Sequence, residues 1–195
     1  MTIIKANLTT SATQTNVFHC LRALVYRRFV CADLYDLLES VQDLMITSLA
    51  KSTRSICANI FTQFLLEYPL EADRVEQHIN HLLKNLGYFD SEGRLQVLEV
   101  LQSLVERFPR ELTDQYAEMI FFTLVLRVVN ESNQKVREKV CGVIKRLMVK
   151  ASQAKVKTLF NTVMQMQETG SPAKCRQIAL ARQIILGVYC EAQAT

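Results

Sequence analysis

Proline and glycine are scarce in this chain, 3 and 5 among 195 residues, so little interrupts long helices. The Asn-Gly and Asp-Gly pairs that seed tight β-hairpins are absent. No stretch reaches the roughly 18 uncharged apolar residues of a membrane span. The longest candidate, 119–129, is short and contains Arg127. The first fifteen positions are polar and threonine-rich and lack the apolar centre of a secretory signal. Six cysteines, Cys20, Cys31, Cys57, Cys141, Cys175 and Cys190, form no C-x-x-C pair, and Cys57 and Cys141 fall on apolar helix faces. That usage fits a reduced intracellular compartment rather than a disulfide framework. Glycine-rich phosphate loops and the G-x-S-x-G elbow are also missing. These absences weigh against β-structure, secretion, membrane insertion, nucleotide cofactors and the commoner hydrolases. What is present, 49% apolar residues set among helix formers, suits one domain or a short stretch of a repeat array.

Net charge is +4, but it is unevenly spread. Residues 32–131 carry 8 basic and 16 acidic side chains, whereas residues 132–182 carry 11 basic and 2 acidic. Such a division suggests two different neighbours, the basic one an RNA or an acidic protein. The candidate contacts are Lys135, Lys139, Lys145, Arg146, Lys150, Lys155 and Lys157. The plain alternative is that helix surfaces need charge of some sign.

Apolar spacing of three and four predicts about nine helices. The first runs from Thr15 to about Cys31 with Val17, Leu21, Leu24, Val25 and Phe29 inward. The second starts at Asp33 as N-cap and reaches about Leu49. Ser52 caps a third that stops at Tyr68-Pro69. A fourth starts at Asp73 and closes on Gly87, expected in the left-handed conformation. A fifth runs from Ser91 to Phe108-Pro109, a sixth from a Thr113 cap to about Asn130. Asn133 opens the seventh, Ser152 the eighth, and a ninth follows Pro172 to about Cys190. Short connections imply antiparallel neighbours. In domain terms, 1–14 is a loose tail, 15–191 one HEAT-like domain and 192–195 a second tail.

The third and fifth helices repeat each other at an offset of 40 residues. Arg54 matches Arg94 and Pro69 matches Pro109. Between them Cys57, Ile60, Phe61, Phe64, Leu65 and Tyr68 align without a gap on Val97, Val100, Leu101, Leu104, Val105 and Phe108. The seventh continues 43 residues on, with Arg137 and the stripe Val140, Val143, Ile144, Leu147 and Met148. Arg176 in the ninth follows 39 residues later, its stripe shifted by one position. A period near 40 with two helices per unit is the signature of an all-α, α-α superhelix, a HEAT or armadillo-like solenoid. One hairpin cannot hide both apolar faces, so hairpins stack.

Candidate chemistry is sparse. His78 and His81 share a helix face, but no third ligand follows at suitable spacing, and a solvated face beside Asn80 and Lys84 is expected. Cys20 beside His19 points away from it by about 100°. The row Asp33, Asp36, Glu39 and Asp43 reads as the solvent edge of the second helix. Tyr68, Phe108, Phe121 and Phe122 could stack bases, though Tyr68 and Phe108 lie on the repeat stripe and read as core. The expectation is a non-enzymatic chain without cofactor or metal.

Several strings resemble one family. They are YDLLESVQDLM (35–45), ITSLAKSTRSICANIFTQFLLEYPL (46–70), RVEQHINHLLKNL (74–86) and YFDSEGRLQVLEVLQSLVERFP (88–109). The most specific are QFLLEYP from Gln63 to Pro69 and SEGR from Ser91 to Arg94. The resemblance, covering about 33–150, is to the very large HEAT-repeat down-regulated-in-metastasis family of the small-subunit processome. It implies a nucleolar scaffold that associates with U3 small nucleolar RNA and precursor ribosomal RNA, without catalytic residues to carry over. It also implies partnership with other ribosome-assembly factors, and no small-molecule substrate or membrane. Family members are many times longer than this chain, which fits a fragment, one piece of a larger product or a truncated relative. The competing reading is a HEAT-type protein–protein adaptor unrelated to RNA, transport-receptor-like or phosphatase-scaffold-like.

Overall fold

The computed structural model describes residues 13–169, together with positions 7, 179, 181–183 and 186–187. Among the described residues every regular element is helical. In chain order they are α1 (Gln14–Tyr26), α2 (Ala32–Thr47), α3 (Lys51–Glu67), α4 (Ala72–Asn85), α5 (Ser91–Arg107), α6 (Arg110–Asn130), α7 (Gln134–Lys150) and α8 (Gln153–Thr169). No helix among them is long and apolar enough to cross a membrane. The expected N-terminal tail and most of the expected ninth helix, Arg176 included, lie outside the described residues. Two compact units divide between Leu104 and Val105, within α5.

In the first unit α3 receives both α1 and α2. Ten of its 17 residues are therefore buried, among them Arg54, Thr62 and Gln63. α4, by contrast, buries only the stripe Val75, Ile79, Leu82 and Leu83. In the second unit α6 packs on α7 and α8. Its buried positions, Thr113, Tyr116, Ala117, Ile120, Phe121, Leu124, Val125 and Val128, keep the three-and-four spacing through the helix.

All twelve residues paired by the 40-residue offset, from Cys57 with Val97 to Tyr68 with Phe108, are buried. The Cys57 thiol is a core hydrophobe whose pKa burial pushes up to about 12. Polar contacts mark the same period. Thr53 on α3 meets Gln14 on α1, Arg54 on α3 meets Glu92 on α5, and the amide of Ser152 before α8 donates to Asp114 on α6. With His78 to Gln42 and Lys150 to Glu106, these contacts span 36 to 44 positions. Each helix thus meets its counterpart one repeat away, which is what stacking of hairpins requires.

The repeated arginines act on the backbone. Arg54 Nη1 donates to the carbonyls of Ser48 and Leu49, at 2.8 and 3.1 Å. Arg94 Nη1 makes the same bonds to Tyr88 and Phe89, at 2.7 and 2.9 Å. Arg137 reaches the Glu131 carbonyl through Nε and Nη2, at 3.2 and 2.6 Å. Every one reaches back six residues, to where the preceding helix has run out of its own donors. Arg54 and Arg94 are buried, and a charge-assisted bond in that setting is stronger than a neutral one.

Several helix ends differ from the sequence reading. α1 stops at Tyr26, because Arg28 adopts the left-handed conformation (φ 52°). The Phe29 amide then bonds the Leu24 carbonyl and the Arg28 amide the Val25 carbonyl, a Schellman closure without its usual glycine. Phe29 leaves the expected stripe and is exposed, while its carbonyl accepts the Tyr68 hydroxyl. Gly87 is not left-handed; its amide closes a tight turn on the Lys84 carbonyl. Asp33, Ser52 and Thr113 lie inside their helices, and the N-cap positions are Cys31, Ala50 and Pro109. Thr113 bonds back to the Pro109 carbonyl instead. Asn133 and Ser152 do cap, accepting from the Val136 and Lys155 amides.

His78 does not lie on a solvated face. It stands between α2 and α3, edge-on to Phe61 and Phe64 with ring centroids 5.4 and 5.8 Å away. Its Nδ1 lies 3.0 Å from Gln42 Oε1. Burial first, then the charges of His81 and Arg74, lower its pKa from 6.5 to about 4. Contact with the Phe61 and Phe64 rings of α3 and with Gln42 of α2 brings this about, since the helix periodicity of α4 alone leaves position 78 at the edge of its stripe.

Three outcomes are expected in urea unfolding. Arg94→Met removes the donor of two loop carbonyls and costs about 2–3 kcal/mol, with the denaturant slope unchanged. Gly93→Ala is destabilising by about 1–3 kcal/mol, because a Cβ there would sit 2.6 Å from the Ile46 carbonyl oxygen and 2.8 Å from the Tyr88 ring. Unfolded chain takes up a proton at position 78 below pH 6.5, folded chain only below about 4. Stability from this residue is therefore present above 6.5, falls as pH drops through that window and levels off below about 4. His78→Gln removes this component, so the gap between the unfolding midpoints of the two proteins changes across the window; a constant gap contradicts it.

Candidate nucleic-acid interface

α7 begins at the Asn133 cap and turns Val136, Val140, Val143, Ile144, Leu147 and Met148 inward. The remaining positions are free to carry charge, and most of it is positive. At about 100° per residue, Lys135, Lys139, Arg146 and Lys150 fall within about 60° of one another. They form one row of about 22 Å along the helix axis. Gly142 lies near the middle of that row, and the one heavy atom close to its missing Cβ is Arg146 Nη1, at 3.6 Å.

The other candidates do not join the row. Lys145 stands about 100° around the helix from Arg146. Lys155 and Lys157 belong to α8 and leave it about 200° apart, on opposite sides. The seven basic residues thus make one row of four and three separate charges.

A carboxylate from α5 organises one end. Arg146 Nε lies 2.5 Å from Glu106 Oε1, and Lys150 Nζ donates to the Glu106 carbonyl at 3.3 Å. Both side chains of the ion pair are half exposed, so it adds little stability and serves to set the direction of the guanidinium. Glu138, the single acidic side chain on α7, accepts from Gln134 at 2.8 Å. Lys135 and Lys139 have no carboxylate partner among the described residues. Sequence reading missed Glu106 and Gly142. The signal for Glu106 was available, since it precedes Arg146 by 40 positions.

The remaining candidates fall elsewhere. Tyr68, Phe108 and Phe121 are buried and Phe122 is half-buried, so these rings serve packing rather than base stacking. Asp33, Asp36, Glu39 and Asp43 form the exposed edge of α2, as expected. Asp43 lies 3.5 Å from His81 Nε2. Among the described residues no group of three His, Cys, Asp or Glu side chains is placed to hold a metal ion. The geometry on α7 offers point charges and one guanidinium fork, which is equipment for holding anions.

No family model matches the chain. The U3 small nucleolar RNA-associated protein 20 of Schizosaccharomyces pombe is 32% identical to it over 150 residues, which make up 77% of this chain and 6% of that protein. The protein of the same name from Saccharomyces cerevisiae is 26% identical over 133 residues, 68% of this chain and 5% of its own length. The chain therefore matches only a small part of each relative. Over most of its length it is homologous to a short stretch of the U3 small nucleolar RNA-associated protein 20, the resemblance that the QFLLEYP and SEGR strings carried.

Proposed function

We propose that this chain is a helical-repeat segment of a non-enzymatic scaffold in small-subunit ribosome assembly. It works in the nucleolus, within the particle organised around U3 small nucleolar RNA, and supports processing of precursor ribosomal RNA. The observation that carries this reading is the 32% identity across 150 residues to a protein named for association with that RNA. The fold supports it. Stacked hairpins present long faces to extended partners and have no inbuilt pocket for chemistry. The charge division supports it too: an acidic stretch and a basic stretch in one chain suit two different neighbours, one an assembly factor and one an RNA.

Affinity purification of the native full-length protein under mild salt tests this. U3 small nucleolar RNA, precursor ribosomal RNA and assembly factors are expected to be enriched over a control purification of an unrelated HEAT array. Recovery of protein partners alone, with neither RNA above the control, overturns the reading in favour of a protein–protein adaptor.

A further inference from the structure

We propose that the Lys135–Lys139–Arg146–Lys150 row on α7 is a contact for the sugar–phosphate backbone of RNA. This rests on the scaffold reading above and assigns the RNA a place on this chain. Four cations lie along one edge of one rigid helix. They come as two pairs, each pair one turn apart, with Gly142 between the pairs. A strand lying along this edge meets the two lysines, then the Arg146 guanidinium lying over Gly142, then Lys150. The absence of a Cβ at Gly142 leaves room there for the Arg146 guanidinium, which carries its charge to the middle of the row. At one end Glu106 fixes the Arg146 fork through the 2.5 Å contact, so less side-chain freedom is lost on binding.

The same geometry argues against an acidic peptide as the occupant. Peptide recognition draws its affinity from apolar anchors seated in a groove or from strand addition to a sheet edge. The row lies on the edge of a helix, and the one exposed large apolar side chain on α7 is Val149. Phosphate recognition needs only cations and donors in line. With no ring in the row, nothing stacks on or reads the bases. Binding is therefore sequence-independent and sensitive to salt.

The test measures binding of a uridine homopolymer RNA to the full chain across a salt series. It compares wild type with Lys135→Gln/Lys139→Gln/Lys150→Gln, after circular dichroism has shown equal helicity. Arg146 is retained so that its pair with Glu106 is undisturbed. Three lost phosphate contacts are expected to reduce the slope of log affinity against log salt by about 2 for a single strand. A control triple, Lys51→Gln/Lys84→Gln/Lys157→Gln, draws on exposed lysines outside the row and should keep the wild-type slope. An unchanged slope in the row variant, an equal loss in the control, or no RNA binding by wild type at low salt each overturns the assignment. So does binding of polyglutamate in place of RNA when the row variant abolishes it. Failure here leaves co-purification of the native protein with U3 small nucleolar RNA untouched, whereas failure of that co-purification speaks against the scaffold reading itself.

Discussion

Where one helix ends and its partner begins, carbonyl groups are left without intrahelical donors, and in this chain an arginine reaches back to meet them. Arg54, Arg94 and Arg137 each bond a carbonyl six residues earlier. The guanidinium can do this because it carries several donors in a fixed fork. Arg54 shows the fuller use, holding two carbonyls with Nη1 and extending Nη2 to Glu92 at 3.4 Å on the next repeat. One side chain thus fixes the turn within a hairpin and meets the following hairpin as well. The apolar stripe that begins three residues later can then be presented in the same orientation each time.

That repetition explains which groups become partners. Contacts separated by about one repeat recur in both units, both hydrogen-bonded and ionic. A residue at the edge of its own stripe is buried or exposed according to what its counterpart supplies. His78 is packed because Phe61, Phe64 and Gln42 come to it. Arg146 is aimed because Glu106 stands one period earlier. Gly93 has no room for a methyl group because the Ile46 carbonyl, one hairpin earlier, comes close to it.

In a fold of stacked hairpins the surfaces free to meet a partner are the faces that stacking leaves uncovered. The first unit leaves an acidic edge on α2, and α7 of the second leaves a basic one. The rings that sequence alone offered for base stacking went mostly into packing, so the proposed RNA contact would rely on charge. Charge without ring stacking gives affinity without sequence reading.

The sequence alone determined the all-α fold and the repeat, since both are written in local spacing. Residues at intervals of three and four meet on one helix face whatever surrounds them, and the Cys57-to-Tyr68 stripe copied onto Val97-to-Phe108 required no coordinates to align. Arg54, Arg94 and Arg137 were likewise visible as a periodic mark, though not what they bonded. Only the tertiary structure decided where α1 stops, where α2, α3 and α6 begin, and which candidates share a surface. Arg28 turns left-handed in a chain reversal that ends α1, with Tyr68, just past α3, bonded to the next carbonyl, and no residue type at position 28 announces it. The basic candidates form a row of four rather than a patch of seven because helix phase places Lys145 around the cylinder and a chain reversal carries Lys155 and Lys157 onto another helix. Local periodicity is a property of one helix, whereas helix ends, burial at stripe edges and the grouping of charges depend on neighbours about forty residues away.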